Sequence, residues 1–157
     1  MKAFESLAGI QPTGQPGKQY KVDNDYLERV LAIDYAISHD DGLSADYLLQ
    51  ADVILVGVSR TSKTPTCIYL AYKGVRAANV PLVPNQDIPD SFLEALKAGV
   101  SVIGLIASPT RLSQVRQHRL KALGNSELEA YAETKDIQNE LASERLFFEK
   151  FDLPVID

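Results

Sequence analysis

A single cysteine, Cys67, in a chain of 157 residues leaves no partner for an internal disulfide and no set for a cysteine-based zinc site. A reducing compartment, the cytoplasm, fits that usage. Positive charge is in deficit: Lys and Arg number 16 against 21 Asp and Glu, for a net charge of −5. That balance argues against duplex nucleic acid or an anionic membrane surface as partner. No apolar run approaches the length of a membrane span. The opening "MKAFESLAGIQPTG" lacks the continuous apolar stretch of a signal peptide. Internal repeats and low-complexity tracts are also absent. What remains, 45% hydrophobic and 24% charged, is the composition of a soluble globular chain long enough for one cored domain.

Pro12, Gly14, Pro16 and Gly17 make residues 1–22 an expected irregular segment. Residues 23–157 read as a single α/β domain. In "DNDYLERVLAIDYAISHDDG", Tyr26, Val30, Ile33 and Ile37 share one helical face, Asp23 or Asp25 caps the start, and Gly42 suits the end. A short helical piece at 45–50 leads into a strand at 53–56. Helices near 63–73, 90–97 and 110–123 then alternate with apolar runs in "AANVPLVP" and "SVIGLIA". Ser126 and Glu129 form a capping box for a helix over 127–149, and "LPVI" at 153–156 reads as a last strand. Short apolar strands without alternation, separated by helices, predict a mostly parallel sheet covered by helices on both faces, a three-layer arrangement of P-loop type.

The first of these strands runs into Gly57-Val58-Ser59-Arg60-Thr61-Ser62-Lys63-Thr64, which fits G-x-x-x-x-G-K-[ST] except that Ser62 stands where the second glycine would be. Such a loop turns its backbone N–H groups onto phosphate oxygens at a helix start, while the lysine reaches the outer phosphates and the Thr64 hydroxyl serves a magnesium ion. Pro65 suits the first turn, where no N–H is needed. Ser62 has to adopt whatever backbone conformation the loop imposes, without glycine's freedom. The competing explanation is an ordinary strand-to-helix turn with a solvated lysine. Cys67, one turn on, reads as a small core filler.

In "PTRLSQVRQHRLKALG", a rotation of about 100° per residue places Arg116 and Arg119 within the stripe of Leu112, Val115, Leu120 and Leu123. A guanidinium there requires anions: either structural carboxylates or a phosphate beside the Lys63 loop. His118 falls on the polar side. The run His39-Asp40-Asp41-Gly42 sets two carboxylates at a helix C-terminus, against the dipole. It is either a plain helix end or a place where Asp40 or Asp41 holds magnesium or accepts a hydroxyl proton.

The phrases "HDDG", "ADVILVGVSRTSKTPTCIYLAYKGVRAANVPLVP", "GLIASPTRLSQVRQHRL" and "LFFEKFDLPVID" resemble the bacterial pyruvate, phosphate dikinase regulatory proteins, a family that includes the phosphoenolpyruvate synthase regulators. The similarity runs from about Tyr20 to Asp157, and "YLAYKGVRAANVPLVP" is closer to the dikinase branch. The resemblance implies a bifunctional serine/threonine kinase and phosphorylase. It takes the phosphoryl group from ADP onto a threonine of the dikinase or the synthase, and removes it with inorganic phosphate, releasing pyrophosphate. It places the nucleotide on Gly57–Thr64 and implies magnesium as cofactor. It also implies a longer protein, with a region preceding Tyr20 and a further segment after "LPVID". A Walker B acid is not evident inside the chain; Asp157, after "LPVI", could be one. A homodimer is left open. The alternatives are a P-loop small-molecule kinase and a non-catalytic nucleotide- or phosphate-binding unit.

Overall fold

The computed structural model describes residues 24–38, 45–84, 86–123 and 134–157. The expected irregular segment 1–22, the His39–Gly42 run and the Ser126–Glu129 capping box lie outside the described residues.

Four short strands, β1 (Val53–Gly57), β2 (Ala77–Pro81), β3 (Ser101–Leu105) and β4 (Val155–Ile156), form one sheet in the order β2-β1-β3-β4. Every pairing is parallel. Parallel neighbours require crossovers, and helices provide them: α2 (Lys63–Ala71) between β1 and β2, α3 (Asp90–Lys97) between β2 and β3, and α4 (Pro109–Leu123) with α5 (Thr134–Lys150) between β3 and β4. Helix α1 (Asn24–Ser38) and a 3₁₀ turn (Ala45–Gln50) precede β1. Gly74 and Gly99, both at φ 83°, close the turns after α2 and α3 in the left-handed region that glycine adopts without strain.

The unalternating pattern of β1 has its cause in burial on both sides. All five of its residues are buried. Ile54 and Val56 join Leu48, Phe92, Ala95, Val102 and Phe148 on one face. Val53 and Leu55 pack with Ala32, Ala36, Cys67 and Ala71 on the other. Cys67 is thus the core filler its position suggested. On the first face Phe92, Phe147 and Phe151 stack with centroid separations of 4.8–6.4 Å.

Helix α1 corrects one expectation. Its buried residues are Ala32, Tyr35 and Ala36, whereas Tyr26, Val30 and Ile37 are exposed. Two alanines let the helix approach its neighbours closely, so small side chains rather than large ones mark the inner face.

Gly104 shows how tightly β3 meets α5. A Cβ there would stand 2.8–3.0 Å from three ring atoms of Phe148. Gly104→Ala is therefore expected to destabilise the chain by about 1–3 kcal/mol through overpacking. Adding Phe148→Leu should recover part of that loss. Urea denaturation of the two single variants and the double variant measures the coupling, and strictly additive effects would contradict the contact.

Candidate phosphoryl site

At the C-terminal end of β1 the chain passes through a gap that admits only glycine. A Cβ on Gly57 would lie 2.5 Å from the Leu105 carbonyl oxygen, 3.0 Å from Thr61 Oγ1 and 3.1 Å from Glu144 Oε1. The backbone beyond it is held from three directions. Val58 N–H donates to Glu144 Oε1 at 2.7 Å. The Val58 carbonyl accepts from Lys63 Nζ at 2.7 Å and from Thr61 Oγ1 at 3.0 Å. The Ser59 carbonyl accepts from Arg116 Nη2 at 3.2 Å.

Arg60 and Ser62 have φ of 75° and 65°, while Thr61 between them and Lys63 at the start of α2 do not share that sign. Alternation of this kind turns successive N–H groups toward one side and makes an anion-binding concavity. No hydrogen bond joins the N–H groups of Arg60, Thr61 or Ser62 to another described residue. Ser62, in the glycine position of the motif, does sit in the left-handed region. Its hydroxyl makes no capping bond; its carbonyl accepts from Thr66 N–H at 3.1 Å and Thr66 Oγ1 at 2.8 Å. Thr64 Oγ1 accepts from Asn79 Nδ2 at 3.2 Å, across from β2. Lys63 is buried, and not the solvated lysine of an ordinary turn.

The two arginines part company. Arg116 is fully buried and clasps Glu140 with two hydrogen bonds, Nη1 to Oε1 at 3.1 Å and Nη2 to Oε2 at 2.7 Å. These bonds tie it to a carboxylate of α5 and, through the Ser59 carbonyl, to the back of the loop. Arg119 is exposed, which corrects its placement in the apolar stripe. The buried arc of α4 runs through Leu112 and Arg116, with Leu120 at its margin, and leaves Val115 at 42% exposure. Counting Val115 as inward had turned the expected stripe toward Arg119. His118 is exposed, as read. Asp40 and Asp41 are not among the described residues.

Glu144 is the residue that motif reasoning missed. It is 2% exposed, and its Oε2 has no hydrogen-bond partner among the described residues. Burial pushes its carboxyl up to about 7; the Val58 hydrogen bond and the Lys63 charge oppose that, Glu140 adds to it, and Arg145 opposes it weakly. A sequence signal existed. Ile137, Leu141 and Phe148 are buried at helical spacing, and Glu144 lies in their stripe.

Two cavities flank the loop. One of about 630 Å³ lies between the segment after β2 and α5, with Val58, Leu82, Pro84, Glu140, Glu144 and Phe147 in its wall. The other, about 400 Å³, has Thr61, Ser62, Thr66, Arg111 and Asp157 in its wall. Asp157, directly after β4, shares this cavity with Thr61 and Ser62 of the loop. Among the described residues no three His, Cys, Asp or Glu side chains cluster to hold a metal ion. None of their helices is long and apolar enough to cross a membrane.

The family model described as kinase/pyrophosphorylase matches residues 1–157, so the similarity extends through the N-terminal stretch before Tyr20. A protein of Caulobacter vibrioides named pyruvate, phosphate dikinase regulatory protein is 48% identical over the whole of this chain and 49% of its own length. Proteins of the same name from Bartonella tribocorum and Paramagnetospirillum magneticum are 46% and 40% identical, again over the whole chain, and are covered to 56% and 50%. The chain spans about half the length of the curated relatives it matches.

Two outcomes test this geometry. Because the folded-state pKa of Glu144 is raised, its favourable contribution is complete below the unfolded value near 4.5 and is lost as pH rises through about 7. Wild-type stability should therefore fall by up to about 3 kcal/mol between pH 5 and 8 relative to Glu144→Gln. Denaturant titrations across that range would show parallel curves if the group were unperturbed. Ser62→Val should cost about 1–3 kcal/mol, since a β-branched residue resists positive φ, while Ser62→Gly should not lower the melting temperature.

Proposed function

The chain belongs to the kinase/pyrophosphorylase family, and on that premise we propose that it carries the phosphoryl site of a bifunctional regulator of pyruvate, phosphate dikinase. In this reading ADP donates a phosphoryl group to a threonine of the dikinase, and inorganic phosphate removes it, releasing pyrophosphate. The names of the relatives support the dikinase, over phosphoenolpyruvate synthase, as partner. The observation that carries the reading is the loop itself: alternating φ signs over Arg60–Lys63, at the tip of a buried parallel strand, where a helix begins.

Each residue then has a physical task. The loop N–H groups and the N-terminus of α2 bind phosphate oxygens. Lys63 Nζ exchanges the Val58 carbonyl for an outer phosphate oxygen. That carbonyl is not orphaned by the exchange, because Thr61 Oγ1 still donates to it. Arg116 and Glu140 keep the Ser59 peptide in place from behind, so the concavity is formed before the ligand arrives. The Thr64 hydroxyl, which faces Asn79, is a hard oxygen that would serve magnesium together with phosphate oxygens. When bound, that ion neutralises charge on the transferring phosphoryl group.

Both directions draw on one phosphate cradle. Lys63→Ala is accordingly expected to reduce ADP-dependent transfer and phosphate-dependent removal alike, each by at least about 100-fold. Calorimetry with ADP beside a transfer assay on the dikinase tests the reading. Either direction surviving intact in the variant would refute a shared cradle. Binding of ADP without transfer by the unsubstituted chain would point to a phosphate-binding unit instead.

A further inference from the structure

The cavity of about 630 Å³ has a chemistry opposite to that of the loop beside it. Its polar wall holds Asp136, Glu140 and Glu144 with Asn139 and Ser143, and no lysine or arginine side chain among the described residues is part of it. A phosphate would be repelled there; a hydrogen-bond donor would be welcomed. Glu140 is already engaged by Arg116, and Asp136 is exposed. Glu144 is the carboxylate with capacity left. Its Oε1 accepts from Val58 N–H, which ties it to the loop, and its Oε2 is buried without a partner among the described residues. An unpaired buried polar atom is unfavourable, a cost that a bound donor removes. Opposite these groups stand Leu82, Val83 and Pro84, and Phe147 lies one turn beyond Glu144 on its own helix; together they make an apolar wall suited to a peptide backbone and its neighbouring side chains.

We infer that this cavity is the acceptor subsite, that it takes a neutral hydroxyl-bearing side chain of a polypeptide, and that Glu144 Oε2 receives and returns the hydroxyl proton. The inference rests on the phosphoryl transfer proposed above. In the forward direction the hydroxyl oxygen forms a bond to the terminal phosphorus of the nucleoside diphosphate. The bond from that phosphorus to the bridging oxygen breaks, its electron pair leaves with the nucleoside monophosphate, and the hydroxyl proton passes to Glu144. In the reverse direction an oxygen of inorganic phosphate bonds to the phosphorus of the phosphorylated side chain. The side-chain oxygen departs with its electron pair and takes the proton from Glu144, and pyrophosphate is released.

One group serves both directions only if both protonation states are populated near neutral pH, and the raised carboxyl, at about 7, meets that condition. The groups facing it are Lys63 from α2, Glu140 and Arg145 on its own helix, and Arg116 of α4 through Glu140. The segment after β2 contributes the non-titrating Leu82, Val83, Pro84 and Gln86 to the cavity. The forward rate should rise with pH, by about tenfold per unit below the inflection, and the reverse rate should fall by a similar slope above it.

The test pairs kinetics with binding on the whole chain. Both rates are followed from pH 5.5 to 8.5 with the dikinase, for wild type and Glu144→Gln. The variant is expected to lose about 10²- to 10⁴-fold in both directions and to lose the inflection near 7, with ADP affinity within threefold of wild type. Ser143→Trp, on the exposed side of the same cavity, should fold normally and raise KM for the dikinase without changing ADP affinity. Separately, carbon-13 NMR of labelled glutamate should show the Glu144 titration shift when a threonine peptide is added, and not with the same peptide carrying alanine. Retention of the inflection in Glu144→Gln, or identical effects of the two peptides, would overturn the inference while leaving the proposed function standing. Absence of transfer by the wild type, with a threonine-specific shift, would overturn the proposed transfer and retain the cavity as a hydroxyl-binding subsite.

Discussion

The 2.7 Å hydrogen bond from Val58 N–H to Glu144 is the contact on which the shape of the site depends. The loop that follows β1 holds two non-glycine residues, Arg60 and Ser62, at positive φ. Strain of this kind costs about 1–3 kcal/mol per residue and persists only where surroundings impose it. Hydrogen bonds to charged groups contribute about 1.5–3 kcal/mol each. Three such bonds converge here: Glu144 on the Val58 amide, Lys63 on the Val58 carbonyl, and Arg116 on the Ser59 carbonyl. The two sums are of similar size, so the loop keeps its form without a ligand because α2, α4 and α5 hold it there.

Much of the fold was legible from residue pattern. The continuous apolar run Val53–Val56 signalled a strand buried on both faces, and β1 is such a strand. Asp90–Lys97 and Ala45–Gln50 formed helical turns at the places their spacing indicated, and Gly74 stops a turn at φ 83°. These features are local: they follow from the period of the side chains and from glycine's freedom. Helix α1 was less legible, because the residues with most apolar surface lie outside and the alanines lie inside. Which face turns inward depends there on how closely the packing partners approach, and a single sequence does not carry that distance.

The site was half legible for a related reason. Gly57–Thr64 stood out as a candidate because the motif is contiguous, and the geometry of one backbone segment constrains neighbouring residues. Its support is not contiguous. Arg116 showed itself as a charge inside an apolar stripe, and its need for an anion was correctly anticipated; the anion, Glu140, lay on another helix. Glu144 gives the same signal on α5, a charge among Ile137, Leu141 and Phe148. The wheel that exposed the arginine would have exposed the glutamate. Two facing helices, each with one ionisable group inside its apolar stripe, are a stronger indication than either alone, since a buried charge has to find its complement within reach.

The arrangement separates two opposed electrostatic demands within a few residues. The proposed phosphoryl group needs positive potential, and the loop amides, the start of α2 and Lys63 would provide it. A hydroxyl that must surrender a proton needs a basic acceptor shielded from that positive potential. A carboxylate placed directly against Lys63 would be held ionised and weakly basic. Glu144 escapes because burial outweighs the lysine and because its companion Glu140 is itself negative. The Val58 peptide stands between the two groups, with its amide bonded to the acid and its carbonyl to the lysine. Its dipole is polarised from both ends, so on the proposed chemistry movement of Lys63 onto a phosphate would weaken one end and alter the basicity of Glu144 through the other. The proposed phosphate capture and the proton affinity of Glu144 would thereby be linked through a single peptide unit.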